Sequence, residues 1–205
     1  MSAARNPSDI RGAISDYLTG LRDAIGNLAL GDVEVVVEQL RRARMDGRQV
    51  FIAGNGGSAA TASHMACDLA KNTLNGNSDE AIGRFRVVSL TDNVALITAW
   101  SNDAGYEFVF SQQLRNLARP GDLLVVISGS GNSPNILEAV RAARSIGLTT
   151  LGLLGFDGGK VRSLLDYSIT VQSTNYGYIE DAHMVLAHAA TDCFVKLVAA
   201  ESASH

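Results

Sequence analysis

The sequence predicts an α/β protein built on a doubly wound, five-stranded parallel sheet of flavodoxin-like order, with an N-terminal helical extension. Three observations carry that expectation. From residue 49 onward, short apolar runs alternate with helix-like stretches, each about 10 to 15 residues long, the pattern of successive βαβ units. Two of those runs, QVFIAG (49–54) and LLVVIS (123–128), end in glycine-rich turns that open the next helical stretch. The chain is 46% hydrophobic but only 6% aromatic and 19% charged, the balance of an aliphatic core with both sheet faces covered.

The elements follow in order. Residues 1–48 read as two helices that form an oligomer interface, and residues 49–205 as one globular unit. Ile10, Ile14, Leu18, Leu21, Ile25 and Leu28 fall on one helical face, a stripe that serves packing within the chain or against another subunit. Gly31-Asp32 interrupts it, and Val33 to Met45 forms the second helix. Strand 49–54 is followed by a helix over 58–71, a polar loop over 72–83, a strand over 85–90 and a helix over 93–100. SNDAGYE (101–107) reads as a turn before a helix reaching Leu117, and RPGD (119–122) turns into strand 123–128. The helix at 134–146 starts on Pro134, which a first helical turn tolerates. TTLGLLG (149–155) is the fourth strand, GGKVRSLL (158–165) a short helix, YSITVQS (167–173) the fifth strand and 180–200 the last helix. Crossovers between parallel strands should be right-handed.

Several function classes are excluded by composition. The net charge of −4 and pI of about 5.5 disfavour a nucleic-acid-binding surface, and RRAR (41–44) suits a solvated helix face. The N-terminus lacks an apolar signal region, and no apolar run is expected to reach the length of a membrane span. Cys67 and Cys193 show no CxxC spacing, so they are expected as buried free thiols in a reducing, cytoplasmic compartment.

The two glycine turns carry the chemistry. In a doubly wound sheet, ligands bind beyond the carboxyl ends of the strands, where helix N-termini offer unpaired N–H groups and partial positive charge. GNGGSA (54–59) and ISGSGNS (127–133) both sit there, and the second adds the hydroxyls of Ser128, Ser130 and Ser133. Neither fits GxxxxGK[ST] or GxGxxG, so no nucleotide cofactor is expected, and a small phosphorylated ligand is. One such turn alone could be purely structural. His64 and Asp68 share a face at i, i+4. His183 and His188 lie on the last helix, with Glu180 and Asp181 at its start, where acids also suit a helix N-terminus.

With both turns in view, the chain resembles the sugar isomerase (SIS) domain family and, within it, the phosphoheptose isomerases. The resemblance spans about residues 10 to 198. It rests on GNGGSAATASH (54–64), SND (101–103), GDLLVVISGSGNSPNILEA (121–139), GFDGGK (155–160) and EDAHMVLAH (180–188). It implies a ketose–aldose isomerase converting sedoheptulose 7-phosphate to a heptose 7-phosphate through an enediol. It also implies a homotetramer whose leading helices form the interfaces, consistent with the apolar stripe. Ser128, Gly129, Ser130 and Ser133 would cradle the phosphate, and Asn55, Gly56, Gly57, Ser58, Asn102 and Asp103 would hold the rest of the substrate. His64, Asp68, Glu180 and His188 match the positions that bind Zn²⁺ in family members carrying it. Asp68 matches the general base and His188 the general acid, and Asp68 and Glu180 also line the substrate. Asp68 stands where the family usually has glutamate, and Glu180 where it usually has glutamine. His183 receives no role. A second branch of the family binds the replication initiator DnaA as a tetrameric adaptor, and a sugar-phosphate-sensing regulator is a further alternative. The expected partners are thus a phosphosugar and further copies of the chain, with no nucleic acid or membrane.

Overall fold

The computed structural model describes residues 9–74 and 83–202. In chain order the elements are α1 (Ile10–Gly26), α2 (Leu30–Met45), β1 (Gln49–Gly54), α3 (Gly57–Lys71), β2 (Arg86–Ser89) and α4 (Val94–Asp103). Then come α5 (Ser111–Leu117), β3 (Leu123–Ser128), α6 (Pro134–Ile146), β4 (Thr149–Gly155), β5 (Tyr167–Val171) and α7 (Tyr176–Ser202). The strands form one parallel sheet in the order β2-β1-β3-β4-β5, the flavodoxin-like order expected. β1 and β3, the strands that carry the glycine turns, are therefore neighbours, with Gly54 opposite Ile127.

Strand side chains alternate between two cores, as the period of two requires. Val50 and Ile52 of β1 and Leu123, Val125 and Ile127 of β3 enter one core with residues of α2, α3 and α7. Phe51 and Ala53, with Leu124 and Val126, enter the other with residues of α5 and α6. All of these are at most 2% exposed, each large one contributing about 1.5 to 3 kcal/mol to the burial that offsets chain entropy. The first core positions the site. Ala62, Met65, Ala66 and Leu69 of α3 share it with Leu186, Ala187, Ala190 and Phe194 of α7.

Local chemistry moved several element ends. α4 continues through the expected turn to Asp103, its start capped by the Asn93 side chain accepting from the Leu96 N–H at 3.1 Å. α7 begins at Tyr176 rather than 180, where the Asn175 side chain accepts from the Gly177 N–H at 2.8 Å. GGKVRSLL keeps only a 3-10 turn at Arg162–Leu164. Most of the polar loop expected at 72–83, residues 75–82, lies outside the described residues.

Three composition-based expectations are corrected. Cys67 is exposed and Cys193 half-buried, although both are free; position 67 falls off the stripe that α3 turns toward the core. Within RRAR, Arg41 and Arg42 both pair with Glu38, at 2.8 and 3.0 Å, but Arg44 is buried, its Nε donating to the Gly83 carbonyl at 2.7 Å. Residues Tyr176–Ala200 are long and apolar enough by themselves to cross a membrane, with mean hydropathy 1.2. Here that apolarity faces inward, through Ile179, Ala182, Leu186, Ala187, Ala190, Phe194 and Val198.

Candidate active site

The sheet edge beyond β1 and β3 assembles two turns and one cluster of side chains. The first turn, Asn55–Gly56, delivers the chain into α3 at Gly57. A Cβ on Gly57 would meet the Glu180 carboxylate, so the glycine leaves room for α7 to set that carboxylate against the N-terminus of α3. Ser58, expected among the substrate contacts, is 5% exposed. Asn55 ties the first turn to the second. Its Nδ2 donates to Asn135 Oδ1 at 2.9 Å, and its Oδ1 accepts from Asn135 Nδ2 at 2.8 Å and from the Tyr106 hydroxyl at 3.0 Å. That leaves the amide one N–H for a ligand.

The second turn is stitched internally and to the loop after β4. Ser128 Oγ, buried, accepts from the Gly131 N–H at 3.1 Å, and Ser130 Oγ accepts from the Asn132 N–H at 3.3 Å. Gly129 and Gly131 carbonyls accept from the N–H groups of Gly155 and Val161, each at 3.0 Å. Gly131 adopts φ of 61°, and a Cβ there would meet the Gly158 carbonyl. GFDGGK is thus a brace for the turn. Ser133 occupies the N-cap of α6 without a side-chain cap bond, so its hydroxyl stands at a helix N-terminus. An open cleft of about 1190 Å³ reaches Ser130 and Asn132, lined also by Phe156, Arg162 and Tyr176. His64, Asp68 and His188 are not on that lining; the cleft leads to the second turn alone.

The cluster forms where α3 meets α7. His64 and Asp68 border the core stripe of α3, and His188 follows Ala187 on that of α7. Core packing therefore brings together side chains 124 positions apart, His64 Nε2 and His188 Nε2 lying at 2.8 Å. Asp68 Oδ2 lies 3.2 Å from His64 Nε2 and 3.9 Å from His188 Nε2. Asp68 is 6% exposed, while the imidazoles open to solvent. Its other oxygen, Oδ1, accepts from Asn72 Nδ2 at 2.7 Å. A tetrahedral cation with bonds of about 2.0 to 2.1 Å needs donor separations of about 3.3 Å. The observed 2.8, 3.2 and 3.9 Å bracket that value, so the two imidazoles and one carboxylate fit a zinc-like ion with a position left open. These three lie within 4.8 Å of one another and do not include Glu180, whose carboxylate rests on Gly57 instead.

Other expected residues stand apart from the cluster. Asn102 and Asp103 end α4, exposed, with Asn102 Nδ2 donating to Asp103 Oδ1 at 2.8 Å. The link from that segment to the first turn is Tyr106, which sequence reasoning passed over, as it did Asn72 and Asn135. Asn135 had a signal: it occupies the first turn of α6, facing an asparagine in the neighbouring turn. His183 is fully buried, its Nε2 3.0 Å from the Leu154 carbonyl. Burial pushes its pKa below the ordinary value, the carbonyl bond opposing that in part, and its Nδ1 has no partner among the described residues.

Comparison with known proteins agrees with this geometry. A model of the SIS domain matches residues 16–155. The chain is 35% identical to a phosphoheptose isomerase of Geotalea daltonii, over 85% of this chain and 88% of that one. Among solved structures, the phosphoheptose isomerase of Neisseria gonorrhoeae superposes with a TM-score of 0.81 at 31% identity, covering 90% of this chain and 98% of that one. That of Francisella tularensis gives the same TM-score at 27% identity, over 92% and 98%.

Proposed function

The chain belongs to the SIS-domain family, among the phosphoheptose isomerases, and from that premise we propose how it acts as an aldose–ketose isomerase on sedoheptulose 7-phosphate. The convergence of His64 Nε2, Asp68 Oδ2 and His188 Nε2 within 3.9 Å, beyond paired glycine turns, carries the reading. The phosphate sits in the second turn, held by N–H groups at the start of α6 and by the hydroxyls of Ser130 and Ser133. Ser128 and Gly129 shape that cradle. The sugar runs toward the first turn, where Asn55, Gly56 and Gly57 face its hydroxyls, with Ser58 beneath them and Asn102 and Asp103 at the rim.

Isomerisation moves one hydrogen between neighbouring carbons. Asp68 Oδ2 takes a proton from C1 of the ketose, the C–H pair becomes the C1=C2 bond, and His188 gives a proton to the C2 oxygen. The enediol then loses the O1 proton and regains a proton at C2, giving the aldose. A positioned carboxylate and imidazole contribute about 10² to 10⁴ in rate. His64, Asp68 and His188 would hold a Zn²⁺ ion, while Glu180, the fourth expected ligand, lies against Gly57 outside that group. Such an ion would supply electrophilic stabilisation of charge on the sugar oxygens. The free thiols support a cytoplasmic setting, the exposed start of α1 supports a subunit interface, and the family resemblance supports a homotetramer.

Purified protein should convert sedoheptulose 7-phosphate to an aldose, and His188→Ala should lose at least about 100-fold in kcat with the fold intact. Absence of turnover with heptulose, hexulose and pentulose phosphates, with or without Zn²⁺, would overturn the reaction assignment.

A further inference from the structure

We propose that Asn72 is a positioning residue for Asp68: it holds one carboxylate oxygen so that the other is presented, singly, to His64 and His188. The inference rests on the reading of Asp68 as base and cation ligand, and adds a residue that this reading does not contain. Asn72 is the C-cap of α3, one turn beyond Asp68, and its Nδ2 donates to Asp68 Oδ1 at 2.7 Å. Asp68 is nearly buried, and its Oδ2 alone points at the imidazoles, 3.2 and 3.9 Å away.

The geometry needs such a restraint. An aspartate carboxyl turns about a single broad torsion, and without a partner its two oxygens interchange or both face a cation. With Oδ1 engaged by an amide N–H, rotation breaks a charge-assisted hydrogen bond, and the carboxylate stays one-pronged. Aspartate is also short. The base must meet its proton within about 1 Å of the productive position, and a fixed torsion replaces reach with aim. The cap bond of α3 is a separate contact, made by the backbone N–H of Asn72 to the Asp68 carbonyl, so side-chain changes at 72 leave it in place.

The test uses the full-length apo protein titrated with Co²⁺ and Zn²⁺, beside steady-state kinetics on sedoheptulose 7-phosphate. Asn72→Ala removes the donor, Asn72→Asp replaces it with an acceptor of equal size, and Asn72→Ser restores a shorter donor. Loss of a hydrogen-bond partner behind a metal ligand typically costs 10- to 100-fold in affinity or activity. The Ala and Asp variants should lose that much cation affinity and kcat, with KM within about threefold of the parent, and Ser should recover part of both. Affinity and kcat within about twofold of the parent in both Ala and Asp variants would overturn the proposal, whatever their thermal stability. If the parent itself binds neither cation, the metal assignment above fails. The positioning role is then decided by kcat: a tenfold fall at constant KM supports it, and parental kcat sinks it.

Discussion

His183 is the residue whose environment makes the sharpest demand. It packs inside the molecule with Nε2 against the Leu154 carbonyl, which calls for the neutral tautomer with hydrogen on Nε2. Burial holds its pKa below the ordinary 6.5, so the folded protein keeps it uncharged where the unfolded chain takes up a proton. The stability it contributes is therefore complete above about pH 6.5 and is lost as pH falls below that, toward the folded-state value. Urea unfolding between pH 7.5 and 5 should show this as a slope of up to about 1.4 kcal/mol per pH unit. His183→Gln, which keeps a donor but cannot titrate, should flatten that part of the slope; equal slopes in both proteins would refute the account. In sequence only the family resemblance told this histidine from His188, five positions on. Helical phase separates them: position 183 falls inside the buried stripe of α7 and position 188 at its edge.

At the scale of elements, α7 organises the site, and its registration depends on what it touches at each end. Near its start, the Tyr17 hydroxyl of α1 donates to Asp181 Oδ2 at 2.6 Å, and the Tyr17 ring meets Tyr178 edge-on with centroids 4.9 Å apart. The Asp181 carboxylate holds the phenol pKa up to about 12. Tyr17→Phe keeps the ring and removes the bond, which is solvent-accessible, so a loss of about 0.5 to 1 kcal/mol is expected. A melting temperature lower by roughly 1 to 4 °C would register it, and no change would mean that the ring contact alone docks α1. Strand and helix order was readable from periodicity because burial on two faces imposes it. Element ends were less so: α7 starts early where Asn175 accepts from the Gly177 N–H, and α4 runs on to Asp103, choices among polar loop residues that local pattern does not rank.

For the molecule as a whole, the open question of α1 becomes concrete. Leu21, Ile25 and Leu28 of its apolar stripe are at least partly covered within the chain, whereas Ile10, Ile14 and Leu18 are 75, 56 and 60% exposed at successive i, i+4 positions. A stripe that leaves the protein surface this way suits a second copy, and Ile14→Glu should shift the assembly to a smaller species in light scattering coupled to gel filtration. An unchanged mass would overturn the assignment of this stripe to a subunit interface. The sequence by itself determined the parallel α/β order and the paired glycine turns, because periodicity and turn chemistry are local properties, and its family resemblance made His64, Asp68 and His188 candidates. Tertiary structure alone decided which candidates meet. Packing of α3 on α7 joined the two histidines across 124 positions. It also set Glu180 on the glycine that begins α3. Those outcomes follow from how helix faces seat against a shared core, and no stretch of chain contains both sides of such a contact.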